Sequence, residues 1–217
     1  MVSTVPPPRQ PFDPGDAGDA GDPGDGVRRW YENELGWATV PGEPVRLATG
    51  LRFDVLEAPA EAGSAALRHL APGSPVALCG GRMRLLVAAG SAEELPGLLD
   101  WLEWGGVPLD LTAIGAGRCV EAPPPPGWAA GGGVPAGRRA GTPGSRPLPL
   151  GRSVSQGAAV WLRPPEPGCE VELLLPALSA LGGGGGAPDL VRLVDTMATQ
   201  CHRVRLRRAC AQPFAFS

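Results

Sequence analysis

More than a quarter of this chain is glycine or proline, 33 and 27 of 217 residues, and that limits what can fold. Glycine loses more backbone entropy on ordering than any other residue, and proline has no donor for a helix or sheet ladder. Such residues belong in turns or outside the folded part, so the folding length is shorter than the chain. Three segments are expected to stand outside it. Residues 1–26 hold PPPRQP and GDAGDAGDPGDG, where Asp16, Asp19, Asp22 and Asp25 recur every third residue with nothing to bury; the like charges repel, giving a disordered acidic tail. Residues 127–152 form a Gly/Pro/Arg insertion without an apolar period, also expected to be disordered. Residues 166–187 carry GGGGG near their end and are expected to form a flexible linker.

What is left, at 43% hydrophobic overall, suffices for one ordinary domain, expected over 27–165, followed by a helix over 188–210. All 19 basic residues are arginine, the mark of a GC-rich coding bias, and the net charge of −3 supplies no global field for nucleic acid. The five cysteines contain no CxxC pair and are odd in number, which points to structural thiols rather than a zinc site or disulfide framework. No signal-like start and no long apolar run are found, so a cytoplasmic protein with no membrane partner is expected.

The periodicities alternate between helix and strand. Val27, Trp30, Tyr31 and Leu35 keep helical spacing up to Gly36, and WATVPG reads as a short strand. GLRFDVLEAP (Gly50–Pro59) reads as a buried strand and Glu61–Leu70 as a helix, with His69 in a surface or dipole role in its last turn. PVALCGGRMRLLVAAG is a strand–Gly80-Gly81–strand hairpin. In SAEELPGLLDWLEWGG, Ser91 is placed as N-cap with Glu94 completing a capping box, and Leu95, Leu98, Leu99 and Leu102 form the buried stripe beside Trp101 and Trp104. PLDLTAIGAGRCVEAPPPPG reads as a strand carrying Asp110, a glycine turn and a second strand. A late strand follows through Val160 and Trp161. The strongest helix opens at Pro188-Asp189 and runs through Leu190, Leu193, Val194, Met197, Cys201 and Val204. It ends in Arg203, Arg205, Arg207 and Arg208, which complement the helix dipole and are candidates to contact nucleic-acid phosphates. The fold class is therefore α+β, with an antiparallel or mixed sheet and flanking helices.

Acids and arginines in the middle of the chain carry the candidate chemistry. Side chains at i and i+2 of a strand share a face, whereas Asp54 and Glu57, three apart, fall on opposite faces. Arg82 and Arg84 flank Met83 on the second hairpin strand and would hold an anion or line a solvated edge.

The segment Thr49–Pro126, preceded by ELGWATVPG and ending in VEAPP, resembles the core of the bifunctional primase-polymerase domain of the archaeo-eukaryotic primase superfamily. The resemblance implies an RRM-like sheet and metal-dependent nucleotidyl transfer in a DNA primase/polymerase, with single-stranded DNA or nucleotide as partner. It also implies site positions. Glu57 falls at the first acidic place of the family's metal-binding pair and Pro59 at the second, while Asp110 takes the third metal-binding place. Gly80, Gly81, Arg82 and Arg84 lie at the phosphate-binding turn, with Met83 where the family carries a histidine. The family's segment between the first strand and Val45 is missing. The expectation is a reduced member that has lost nucleotidyl transfer and serves as a nucleotide or nucleic-acid binding or regulatory module, with no cofactor. One alternative is a weak primase/polymerase in which Asp110, Glu57 and a third ligand hold Mg or Mn. Another is a protein-interaction module with the old cleft packed shut.

Overall fold

Alternation along FDVLEAP sets the architecture, because this strand buries apolar side chains on both faces. The structure, a computed structural model, describes residues 23–128, 157–178 and 189–210. Residues 1–22 of the expected tail, the insertion from 129 onward and the glycine run lie outside the described residues.

The chain enters through helix α1 (Pro23–Arg29), which continues as a π-helical turn over Trp30–Glu34. It thus starts inside the segment assigned to the tail: Gly24 is buried, and Val27 and Trp30 pack on core residues. Strands β1 (Thr39–Val40), β2 (Arg46–Ala48) and β3 (Phe53–Pro59) follow, then helix α2 (Ala60–Ala66) with a 3-10 turn to His69. The hairpin β4 (Val76–Cys79) and β5 (Arg82–Ala88) precedes helix α3 (Ser91–Trp101). Strands β6 (Thr112–Ile114), β7 (Cys119–Glu121) and β8 (Val160–Arg163) come before helix α4 (Leu190–Cys210).

Two antiparallel sheets result, one in the order β6-β3-β5-β4-β8 and the other β1-β2-β7. The fold is mixed α+β, and among the described residues the four helices flank these sheets. Leu56, Ala58, Met83, Leu85 and Val87 face α2, α3 and α4, whose Ala62, Leu98, Leu193 and Met197 complete that core. Phe53, Val55 and Leu86 point the other way, onto Tyr31, Trp37, Leu47 and Val120 of the smaller sheet and the N-terminal segment. The buried Tyr31 hydroxyl donates to Pro123 O at 2.6 Å and accepts from Trp161 Nε1 at 3.0 Å, tying the entry helix to β8 and to the chain leaving β7.

Three boundaries differ from expectation. Strands β6 and β7, consecutive across a glycine turn, belong to different sheets. Gly50 allows this: at φ +86 it sits so close to the β6–β7 turn that a Cβ would lie 2.2 Å from Ala116 Cα. The start of the expected linker is also structured, since Val171–Leu174 form a 3-10 helix and Val171 and Leu175 are buried. Finally, α4 is no appendage. Leu190, Leu193, Val194 and Met197 are at most 1% exposed, so this helix supplies much of the core that the central sheet buries. No helix among the described residues is long and apolar enough to cross a membrane.

The closeness of α2 to β5 can be tested with two glycines. A Cβ on Gly63 would meet Met83 Cβ and Sδ at 2.7 Å, whereas one on Gly97 in α3 would meet nothing within 4 Å. Gly→Ala inside a helix ordinarily gains about 0.5–1 kcal/mol. Gly97→Ala should show that gain in urea denaturation, while Gly63→Ala should instead lose about 1–3 kcal/mol by overpacking. Equal gains at both positions would refute this packing.

Candidate arginine–carboxylate site

The hairpin turn places the site. Gly80 and Gly81 take φ of +55 and +79, the mirror-image turn that matches strand twist and that glycine adopts without strain. The two-residue loop sets Arg82 opposite Cys79 and, across β3, Arg84 opposite Glu57. Arg82 and Arg84 therefore share the face of the sheet on which Glu57 stands, and Met83 points into the core on the other.

Instead of lining a solvated edge, both arginines turn onto the chain's own carboxylates. Arg84 Nε donates to Glu57 Oε2 at 2.7 Å, and Arg82 Nε to Glu57 Oε1 at 2.6 Å. Arg82 Nη1 then reaches Asp110 Oδ1 at 2.7 Å. The guanidinium of Arg82 thus stands between Glu57 and Asp110. Glu57 and Arg84 are each only 15% exposed, so their charges are largely withdrawn from water; Arg84 Nη1 is buried without a hydrogen-bond partner. Burial alone would raise the Glu57 carboxyl, but hydrogen bonds from Arg84 and Arg82 outweigh it and hold the group below its ordinary range.

Asp110 does not sit in a strand; it precedes β6 in the loop from Pro108. There it also meets the end of α4. Arg208 Nη1 lies 3.9 Å from Asp110 Oδ2, Arg205 Nη1 donates to Pro108 O at 2.9 Å, and the Cys201 thiol donates to Asp110 O at 3.5 Å. Burial pushes that thiol up to about 11, so Cys201 is a packing residue rather than a nucleophile. A shallow cavity of about 260 Å³ opens between Leu109, Asp110, Val204 and Arg208. Arg207 pairs with Glu61 of α2 at 2.6 Å, whereas Arg203 makes no ion pair among the described residues.

Asp54 is the buried acid that strand pattern alone left without a role. It faces the helix side, opposite to Glu57, and is fully buried. Its Oδ2 accepts the Ala92 N–H at 2.9 Å, so it caps α3 from a distant strand. Ser91 is accordingly the first helical residue rather than the cap, and Gly90 occupies the cap position with φ +93. Burial pushes the Asp54 carboxyl up, the Ala92 bond opposes this, and Glu93 adds to the rise. No local motif announces the contact, because the acid and the helix are far apart in sequence. His69 likewise serves the fold: its Nε2 lies 2.9 Å from the Thr196 hydroxyl, joining the end of α2 to α4.

Among the described residues, no group of three or more His, Cys, Asp and Glu side chains converges to hold a metal ion. No protein-family model matches the chain, and no curated protein and no solved structure is significantly similar to it.

The pH dependence follows from Glu57. A carboxyl depressed in the folded state contributes stability above its ordinary value, 4.5, and that contribution disappears as the pH falls through the lower folded value. Glu57→Gln should lose about 1–3 kcal/mol at neutral pH by leaving Arg84 uncompensated. It should also flatten the stability profile below pH 4.5 relative to the wild type. Urea titrations from pH 3 to 7 measure both, and parallel profiles would contradict the ion-pair account.

Proposed function

We propose that this is a reduced domain of the primase-polymerase type that has given up nucleotidyl transfer and binds single-stranded nucleic acid through phosphate contacts. The observation that carries the first half is the position of Arg82 between Glu57 and Asp110. Two-metal transfer needs carboxylates free to clamp cations that activate the attacking oxygen and steady the leaving group. Here the charges of Glu57 and Asp110, −2, are met by those of Arg82 and Arg84, +2. A magnesium ion entering would have to displace a guanidinium already held by charge-assisted hydrogen bonds.

Binding is supported by the end of α4. After Asp195 that helix carries no acid, and Arg203, Arg205, Arg207 and Arg208 follow within its last two turns. All four are exposed, as phosphate contact requires. A net charge of −3 makes this patch a local feature, so affinity should depend on these few side chains rather than on a global field.

Fluorescence anisotropy with labelled single-stranded DNA, with and without manganese, tests the reading. Binding is expected to be metal-independent and to weaken steeply with salt. Arg203→Ala should lower the slope of log K against log salt by roughly 0.7, one phosphate contact on a single strand. Primer extension is expected to be absent. Template-directed incorporation abolished by Asp110→Ala would overturn the non-catalytic assignment. Absence of DNA binding would leave a protein-interaction module, the reading favoured by Leu51 and Leu173, which stand 67% and 70% exposed beside the Arg52–Glu172 pair.

A further inference from the structure

The last two turns of α4 differ physically from the rest of the helix. Up to Val204 its inner face is locked into the core, with Met197, Ala198 and Cys201 at most 1% exposed. Beyond Val204 every residue is exposed, and attachment passes to polar contacts. Those contacts reach two separate elements: Arg207 joins Glu61 at the start of α2, while Arg205 and Arg208 join Pro108 O and Asp110 in the loop before β6.

Both ion pairs stand in water. The side chains of Arg207 and Glu61 are 62% and 57% exposed, and those of Arg208 and Asp110 are 68% and 45% exposed. Exposed pairs of this kind stabilise little and are screened by salt. A phosphodiester offers the same guanidinium an anionic oxygen pair of similar geometry. One guanidinium cannot present its best donors to a carboxylate and a phosphate in different places at once.

We infer that the basic end of α4 is a latch in which Glu61 and Asp110 compete with an external phosphate backbone for Arg207 and Arg208. The inference rests on the nucleic-acid reading above and adds a regulatory element to it. In the free protein the carboxylates hold the end of α4 over the loop at Pro108–Asp110. When a strand binds, Arg207 and Arg208 exchange partners, and the cavity beside Asp110 loses part of its cover. Glu61 and Asp110 thereby set a threshold that weakly charged ligands do not pass, and that a chain of phosphates, engaging several arginines together, does.

Competition has a signature that plain charge removal lacks. With a fluorescein-labelled oligothymidylate and the full chain, Glu61→Gln should tighten binding about two- to fivefold. Glu94→Gln, at an exposed glutamate of α3 with no ion pair among the described residues, should change it by less than about twofold. In the Arg207→Ala background the gain from Glu61→Gln should vanish, because the competitor has nothing left to hold. Glu61 is exposed, so these variants fold. If Glu61→Gln gives the same gain with and without Arg207, the latch is overturned while the binding reading stands. If the wild type does not bind the oligonucleotide at all, both fall.

Discussion

Strand β3 is buried on both faces and carries a carboxylate on each. Burying an ionised carboxylate without partners is prohibitively costly, so each acid dictates what must be brought to it. On the helix side, Asp54 takes the Ala92 N–H in the first turn of α3 and so fixes where that helix begins. On the other side, Glu57 takes Arg82 and Arg84, and the β3–β5 register delivers them. A one-residue slip of β5 would move Met83 onto Glu57 and drive both arginines into the apolar core. Hydrophobic alternation and charge pairing therefore select the same register, which makes the central sheet specific as well as stable.

The same pairing supports the proposed loss of nucleotidyl transfer. A cleft that handles metal-bound triphosphate needs negative side chains with unspent lone pairs. Glu57 spends both of its oxygens on guanidinium donors, and Asp110 gives one to Arg82 while its other faces Arg208. Arg82 makes these bonds from the position that follows the two-glycine turn, where its strand is paired on both sides, with β3 and with β4. Its guanidinium is preorganised, so little further entropy is lost in keeping it between the acids.

Much of this was legible in the chain. The hairpin, the α3 stripe and the long terminal helix follow from local patterns: a glycine pair between apolar runs, leucines at helical spacing, and Pro188-Asp189 at a helix entrance. The opposite orientation of Asp54 and Glu57 followed from strand geometry alone. Partnership was less legible. Nothing near Ser91 indicates that its helix is capped by Asp54, and nothing near Cys119 indicates that β7 leaves β6 to pair with β2. Both depend on contacts distant in sequence, and both are enforced by tertiary packing rather than propensity. For Arg82 and Arg84 the chain left two readings open, an anion or a solvated edge, because whether a charged side chain meets water or a partner depends on what the fold brings to it. Glu57 on β3 and Asp110 in the loop before β6 supply those partners, and local pattern does not display them.

Helix α4 combines a buried stripe with an exposed cationic end. Its inner stripe is apolar through Val204, and removing it would uncover the helix face of the central sheet. Its cationic end is compatible with the helix dipole, so the arginines are tolerated there with or without an external partner. Their carboxylate contacts are exposed and add little to stability, so losing them would leave the core beneath α4 in place. Had Arg207 and Arg208 stood at the level of Leu193 and Met197, the same exchange would have meant unpacking the domain. Arg207 and Arg208 stand about one turn beyond Val204, the last buried residue of the helix, so in the proposed reading a bound strand engages them without disturbing the core.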